Sequence, residues 1–173
     1  MFCDTTDTYS VAAGDLLSLR FVNAATASSA DVRYAAMEIE AMNGSAMMGA
    51  GNLGNIAGSQ TQYCGPFNPD PGTESGSATH DVPMPRAGTI KNLYVATASA
   101  QPGTGSLVMA IYKSGVATGL TVTVAASAAA GTFSDTIDAV TIASGDVIKL
   151  QLLNNSSLPS AWVSGWACEF AIS

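Results

Sequence analysis

A chain of 173 residues with six Lys and Arg against thirteen Asp and Glu has a net charge of −7, which leaves no cationic track for a phosphate backbone and speaks against nucleic acid as a partner. Only 11% of the residues are charged, where about a quarter is usual, so the surface suits a subunit covered by neighbours or glycans better than a freely diffusing monomer. No apolar run is long enough to span a bilayer, no basic amphipathic helix is present, and Met1–Ser10 lacks the basic start and apolar centre of a signal peptide, so membrane insertion is not expected.

The first 42 residues are an ungapped, diverged copy of the last 42. Phe2, Asp4, Thr5, Asp7, Ala12, Gly14, Asp15, Leu19 and Asn23 recur at a constant offset of 131 as Phe133, Asp135, Thr136, Asp138, Ala143, Gly145, Asp146, Leu150 and Asn154. Ser29, Ala30, Val32, Ala36 and Glu38 recur in the same register as Ser160, Ala161, Val163, Ala167 and Glu169. Residues 43–173 span one full period of 131, which predicts a complete module preceded by a partial copy of its C-terminal third in residues 1–42. Within that copy Leu17, Leu19 and Phe21 alternate with Ser18 and Arg20, and Ala35, Met37 and Ile39 share a face that Glu38 avoids, the period of strands with one wet face.

Residues Ser45–Ser77 are punctuated by Gly and Pro and read as a long excursion, either functional, an assembly surface or partly disordered. Strands are expected near His80–Met84, Thr89–Ala96, Ser106–Lys113, Gly119–Ala125 and Thr132–Ile142. Lys113-Ser114-Gly115 reads as a tight hairpin turn, and Gly14-Asp15 and Gly145-Asp146 as further turns. In Gly145–Asn154 the residues Ile148, Leu150 and Leu152 are expected inside, with Lys149 and Gln151 in solvent. The closing strand places Trp162, Ser164, Trp166, Cys168 and Phe170 on one face, with Glu169 outward. About eight short strands of this kind indicate an all-β, antiparallel two-sheet β-sandwich of jelly-roll type. An immunoglobulin-like Greek key competes, weakened by the lack of a Cys…Trp…Cys framework.

The runs Ala87–Val95, Ile111–Gly115, Thr118–Val124 and Ile142–Asp146 resemble the β-sandwich modules of bacterial and phage surface or structural proteins, such as the jelly-roll ends of spore-coat and tail-fibre proteins, often found in tandem. The resemblance covers residues 43–173 and the back third of a module in residues 1–42. It implies surface display and assembly rather than a reaction.

Chemistry-bearing motifs are sparse. His80 is the only histidine, in Ala78–Val82, and reads as a solvent-facing residue; no nucleophile elbow, phosphate-binding loop or zinc-protease motif appears, so no enzymatic activity and no cofactor are expected. Cys3, Cys64 and Cys168 lack metal-binding spacing, and fit either one disulfide with a free thiol or three buried thiols. The repeated Asp-Thr-x-Asp and Gly-Asp acids (Asp4, Asp7, Asp15; Asp135, Asp138, Asp146) could supply oxygen ligands to calcium, but short acids at strand ends more often bond their own backbone. Trp162, Trp166, Tyr94 and Tyr112 could form a sugar-stacking platform or fill a core, and Asp31 at the position equivalent to Trp162 suggests that Trp162 at least lies near a surface. Asn43, Asn154 and Asn155 head sequons that could carry covalent glycans. The unmatched apolar face of residues 1–42, led by Leu17, Leu19, Phe21, Met37 and Ile39, is the expected assembly interface. The leading expectation is an extracellular structural protein: a subunit that polymerises head to tail with itself through β-strand contacts into a filament, fibre or surface layer. A receptor- or glycan-binding module on the same fold is the alternative, and a glycan-active enzyme lacks paired carboxylates because Glu38 and Glu169 hold equivalent positions in separate copies.

Overall fold

The computed structural model describes Ser10, residues 45–66 and residues 81–172, the side chain of Asn52 excepted. The described residues are all-β, with no helix. The strands are β1 (Ser45–Gly54), β2 (Thr61–Cys64), β3 (Val82–Pro83), β4 (Gly88–Thr97), β5 (Leu107–Lys113), β6 (Val116–Val124), β7 (Gly131–Ile142), β8 (Val147–Asn154) and β9 (Val163–Ile172). They form two antiparallel sheets packed face to face as a β-sandwich, one in the order β1-β9-β4-β7 and one in the order β2-β8-β5-β6, with β3 also on β8.

The apolar alternation selects the inner faces. Ile90, Leu93 and Val95 of β4 meet Leu107, Met109 and Ile111 of β5, Leu120, Val122 and Val124 of β6, Ile148, Leu150 and Leu152 of β8, and Trp166, Cys168 and Phe170 of β9 in one continuous core. Each fully buried Leu or Ile contributes about 1.5–3 kcal/mol relative to leaving it in water. Hairpin β5–β6 closes through Ser114 (φ 48) and Gly115 (φ 86), with Lys113 opposite Val116, as the sequence predicts for a two-residue turn. Gly145 (φ 89) also turns the chain, but it joins β7 to β8 and so carries the chain from one sheet to the other.

Three expectations are corrected. The supposed excursion at Ser45–Ser77 contains β1 and β2; residues 67–80, His80 among them, lie outside the described residues, and within the described part of the expected strand His80–Met84, Asp81–Met84, only Val82–Pro83 is a strand. The small residues of β1 have little intrinsic strand preference, and the strand forms because it packs along β9, with Met48 opposite Cys168. The closing strand does not keep one face. Consecutive Ala96 and Thr97 of β4 face Gly165 and Val163, so Ser164 is an extra, bulged residue. The bulge reverses the alternation behind it, which sends Val163 and Ala161 inward and leaves Trp162 42% exposed. Lys149 points away from the core as its period requires, yet its side chain is only 9% exposed. Neighbours on the outer face cover it, a feature that periodicity does not report.

The approach of β1 to β9 is close enough to specify glycine, because a Cβ at position 49 would overlap the Trp166 carbonyl oxygen in the β9 backbone. Replacing Gly49 by Ala should therefore loosen β1 and cost about 1–3 kcal/mol, read as a lowered urea midpoint with an unchanged slope. An unchanged midpoint would show that the β1–β9 spacing relaxes freely.

Candidate functional site

The candidate surfaces are the sheet edges and the outer faces. On the β7 edge, Lys91 pairs with Ala139 and Leu93 with Asp135, so Thr136, Ile137 and Asp138 bulge out opposite Asn92, which adopts a φ of 56°. The Asp135 carboxylate builds this bulge. Its Oδ1 accepts from Ile137 N and Asp138 N, each at 3.1 Å, and its Oδ2 accepts from Thr121 N of β6 at 3.0 Å. Partial desolvation works to raise the Asp135 pKa, but the backbone donors outweigh it and hold the group below the ordinary carboxylate value. Ile137 is consequently fixed in solvent at 93% exposure. Asp146 acts similarly at the β7–β8 turn: Oδ2 accepts from Ala143 N at 2.8 Å and pairs with Lys113 at 3.1 Å, and the backbone bond followed by Lys113 lowers its pKa. These acids of the Asp-Thr-x-Asp and Gly-Asp motifs thus bond their own backbone. Asp4, Asp7 and Asp15 lie outside the described residues.

At the other margin of the same sheet, Glu169 ties β1, β9 and β4 together. It accepts from Ser45 Oγ and Asn92 Nδ2, both at 2.7 Å, and pairs with Lys91 at 3.3 Å. The Ser45 bond is the largest cause of its lowered pKa. No described strand pairs the side of β1 away from β9, which runs as SAMMGAG through Gly51 with no charge and no Pro, and Met47 is 46% exposed.

The outer face of the second sheet carries the densest polar and aromatic cluster among the described residues. Tyr63 of β2 stands opposite Gln151 of β8, and Tyr112 of β5 stands opposite Lys149. Gln151 Nε2 donates to the Tyr63 hydroxyl at 3.1 Å and to the Tyr112 hydroxyl at 2.9 Å. The two rings meet edge to face, with centroids 5.5 Å apart and planes at 76°. The Lys149 ammonium lies 4.9 Å from the Tyr63 ring centroid and 2.9 Å from Asp81 Oδ1. Burial is the largest of the causes that raise the Tyr112 pKa, followed by the field of Tyr63.

The aromatic set named from sequence does not assemble. Trp166 is in the core, Tyr94 and Tyr112 point out from opposite sheets, and Trp162 stands alone in the β8–β9 connection. Tyr63 was missed because its segment lacked a readable period; the outward positions of Gln151 and Tyr112 were the available signal. Asn154 is fully buried and its Nδ2 donates to the carbonyls of Ile56, Ala57 and Leu158, so the folded domain uses this amide to join two loops and offers no room for a glycan there. Asn155 is exposed and bonds Ser106 Oγ at 3.3 Å. Asn43, Leu17, Leu19, Phe21, Met37, Ile39, Glu38 and Cys3 lie outside the described residues. Cys64 and Cys168 are free thiols in the core, each pushed up to about 12 by burial. No protein-family model and no curated protein matches the chain.

Two outcomes follow from these groups. Asp135, Asp146 and Glu169 all have lowered folded-state values, so their contribution to stability is complete above the unfolded carboxylate range and disappears as pH falls through the folded values. Thermal midpoints should be insensitive to these groups between about pH 5 and 7 and fall below about pH 4, and Asp135→Asn should flatten that fall. In iodoacetamide at pH 8, peptide mapping should find Cys64 and Cys168 unmodified in the folded protein and alkylated in urea, because a buried thiol supplies almost no thiolate. Rapid alkylation of either in the native state would contradict the core placement.

Proposed function

We propose that the protein is a structural subunit of an extracellular filament, fibre or surface layer, built from jelly-roll modules that polymerise through β-strand contacts with further copies of the chain. The observation that carries this reading is the uneven treatment of the sheet edges. β7 is broken by the bulge that Asp135 holds, β6 gives its Thr121 N–H to that same carboxylate, β2 is four residues long, and β3 contains Pro83. Each of these devices discourages a foreign strand. The β1 edge has none of them from Ser45 to Gly51, and its side chains there are uncharged. An edge of this kind, with no described strand on its far side, can accept an extended segment from a neighbour by strand addition.

The strand order supports the jelly-roll assignment, since β1-β9-β4-β7 opposed to β2-β8-β5-β6 is what two interlocked Greek keys produce. Low charge supports burial of much of the exterior. The donor in this reading is the repeat segment 1–42 of the adjacent subunit, with Leu17, Leu19, Phe21, Met37 and Ile39 as its apolar face. The polymer is head to tail because donor and acceptor are different surfaces.

Electron microscopy and sedimentation of the native chain should show particles much larger than a monomer. Placing Lys on the open edge, as Ala46→Lys with Met47→Lys, should convert them to monomers while the thermal midpoint of the domain shifts little, because both side chains are exposed. Leu19→Asp with Phe21→Asp should have the same effect from the donor side. A monomeric native chain, or unchanged particles in both double variants, would overturn the proposal.

A further inference from the structure

We infer that the outer face of the second sheet is a binding site for a neutral glycan, centred on Tyr63, Tyr112 and Gln151. The inference is independent of the assembly reading, since the β1 edge belongs to the other sheet.

Three properties of the cluster point to this ligand class. The first is preorganisation: the two rings are locked edge to face, and Gln151 spends both Nε2 hydrogens on the two phenol oxygens. Its Oε1 is thereby oriented as an acceptor with no partner among the described residues, and the ligand meets side chains already ordered. The second is the mixture of surfaces. Aromatic rings suit the C–H face of a pyranose, and the phenol and amide groups suit its hydroxyls. Ala110, across from Gln151, adds only a methyl group beside the rings, and Thr121 and Thr123 of β6 continue the face beyond it. The third is charge. The ammonium of Lys149 is cancelled by Asp81 at 2.9 Å and shielded by the Tyr63 ring, so the cluster presents no net charge to an anionic sugar.

A purely structural staple between β2, β8 and β5 would use the same rings and the same Gln151 hydrogen bonds, but it would retain no polysaccharide. Phe at 63 and 112 keeps the two rings and removes the hydroxyls together with their bonds from Gln151. The test therefore uses the full-length chain, its Tyr63→Phe/Tyr112→Phe and Tyr112→Ala variants, and the probes laminarin, dextran, galactomannan and polygalacturonate in affinity gels and titration calorimetry. The expected result is retention by at least one neutral polysaccharide and none by polygalacturonate. Affinity should fall about tenfold or more in Tyr112→Ala and by a smaller factor in the double Phe variant. The double Phe variant should stay folded with a modestly lowered thermal midpoint, because Gln151 Nε2 loses both acceptors. Retention by no neutral probe, preference for polygalacturonate, or undiminished retention of Tyr112→Ala would each overturn the inference. Particle size measured on the same samples separates the two readings: the binding variants should still polymerise, and the lysine variants of β1 should still bind.

Discussion

The inward rows of β4, β8, β9 and β5 bury one another, and this apolar seam determines where every other side chain points. Because successive residues of a strand face opposite ways, Leu93 and Val95 in the seam force Tyr94 out on one side, and Ile111 forces Tyr112 out on the other. The same constraint gathers Lys149 and Gln151 beside Tyr112. The outer cluster is thus a consequence of core packing, with its contacts set by strand register rather than by loop conformation. Sites built on sheet faces hold their geometry more firmly than sites on loops, which suits this face to the binding role inferred for it.

Where periodicity is strong, sequence and structure agree. Ile148, Leu150 and Leu152 are core residues, and the turn at Ser114-Gly115 has the positive φ values that its glycine suggests. The failures have physical causes that a one-dimensional pattern cannot contain. β1 is a strand because Gly49 lets its backbone lie against β9, so its identity resides in a tertiary contact. Ser164 is a single inserted residue, and one insertion inverts the facing of everything before it. Lys149 obeys its period and is still covered, because Tyr63 and Asp81 come from segments distant in sequence. Asn154 matches a sequon but spends its amide on three carbonyls in neighbouring loops.

The acids recurring between the two ends of the chain also become intelligible. Asp135 satisfies two backbone N–H groups of its bulge and the Thr121 N–H of β6, and Asp146 satisfies one at a turn with positive φ at Gly145. Residues with such duties resist replacement while the apolar positions around them exchange one hydrophobe for another. On the reading of residues 1–42 as a diverged copy, the punctuation would be kept longer than the core composition, as in the pairs Asp4/Asp135, Gly14/Gly145 and Asp15/Asp146.

The same carboxylate that builds the β7 bulge has a consequence for association. By drawing Thr121 N of β6 onto Asp135, it closes one lateral side of the sandwich, where an edge from each sheet would otherwise face solvent. Glu169 acts differently on the far side: through Ser45 it holds the first residue of β1 in register, on a strand whose other flank no described strand pairs. One acid seals an edge and the other straightens one. Among the described residues, β1 from Ser45 to Gly51 is thus the uncharged edge without a bulge, and in the proposed polymer a donor surface different from this acceptor would give the contact a direction, whereas two equivalent open edges would favour indiscriminate sheet extension.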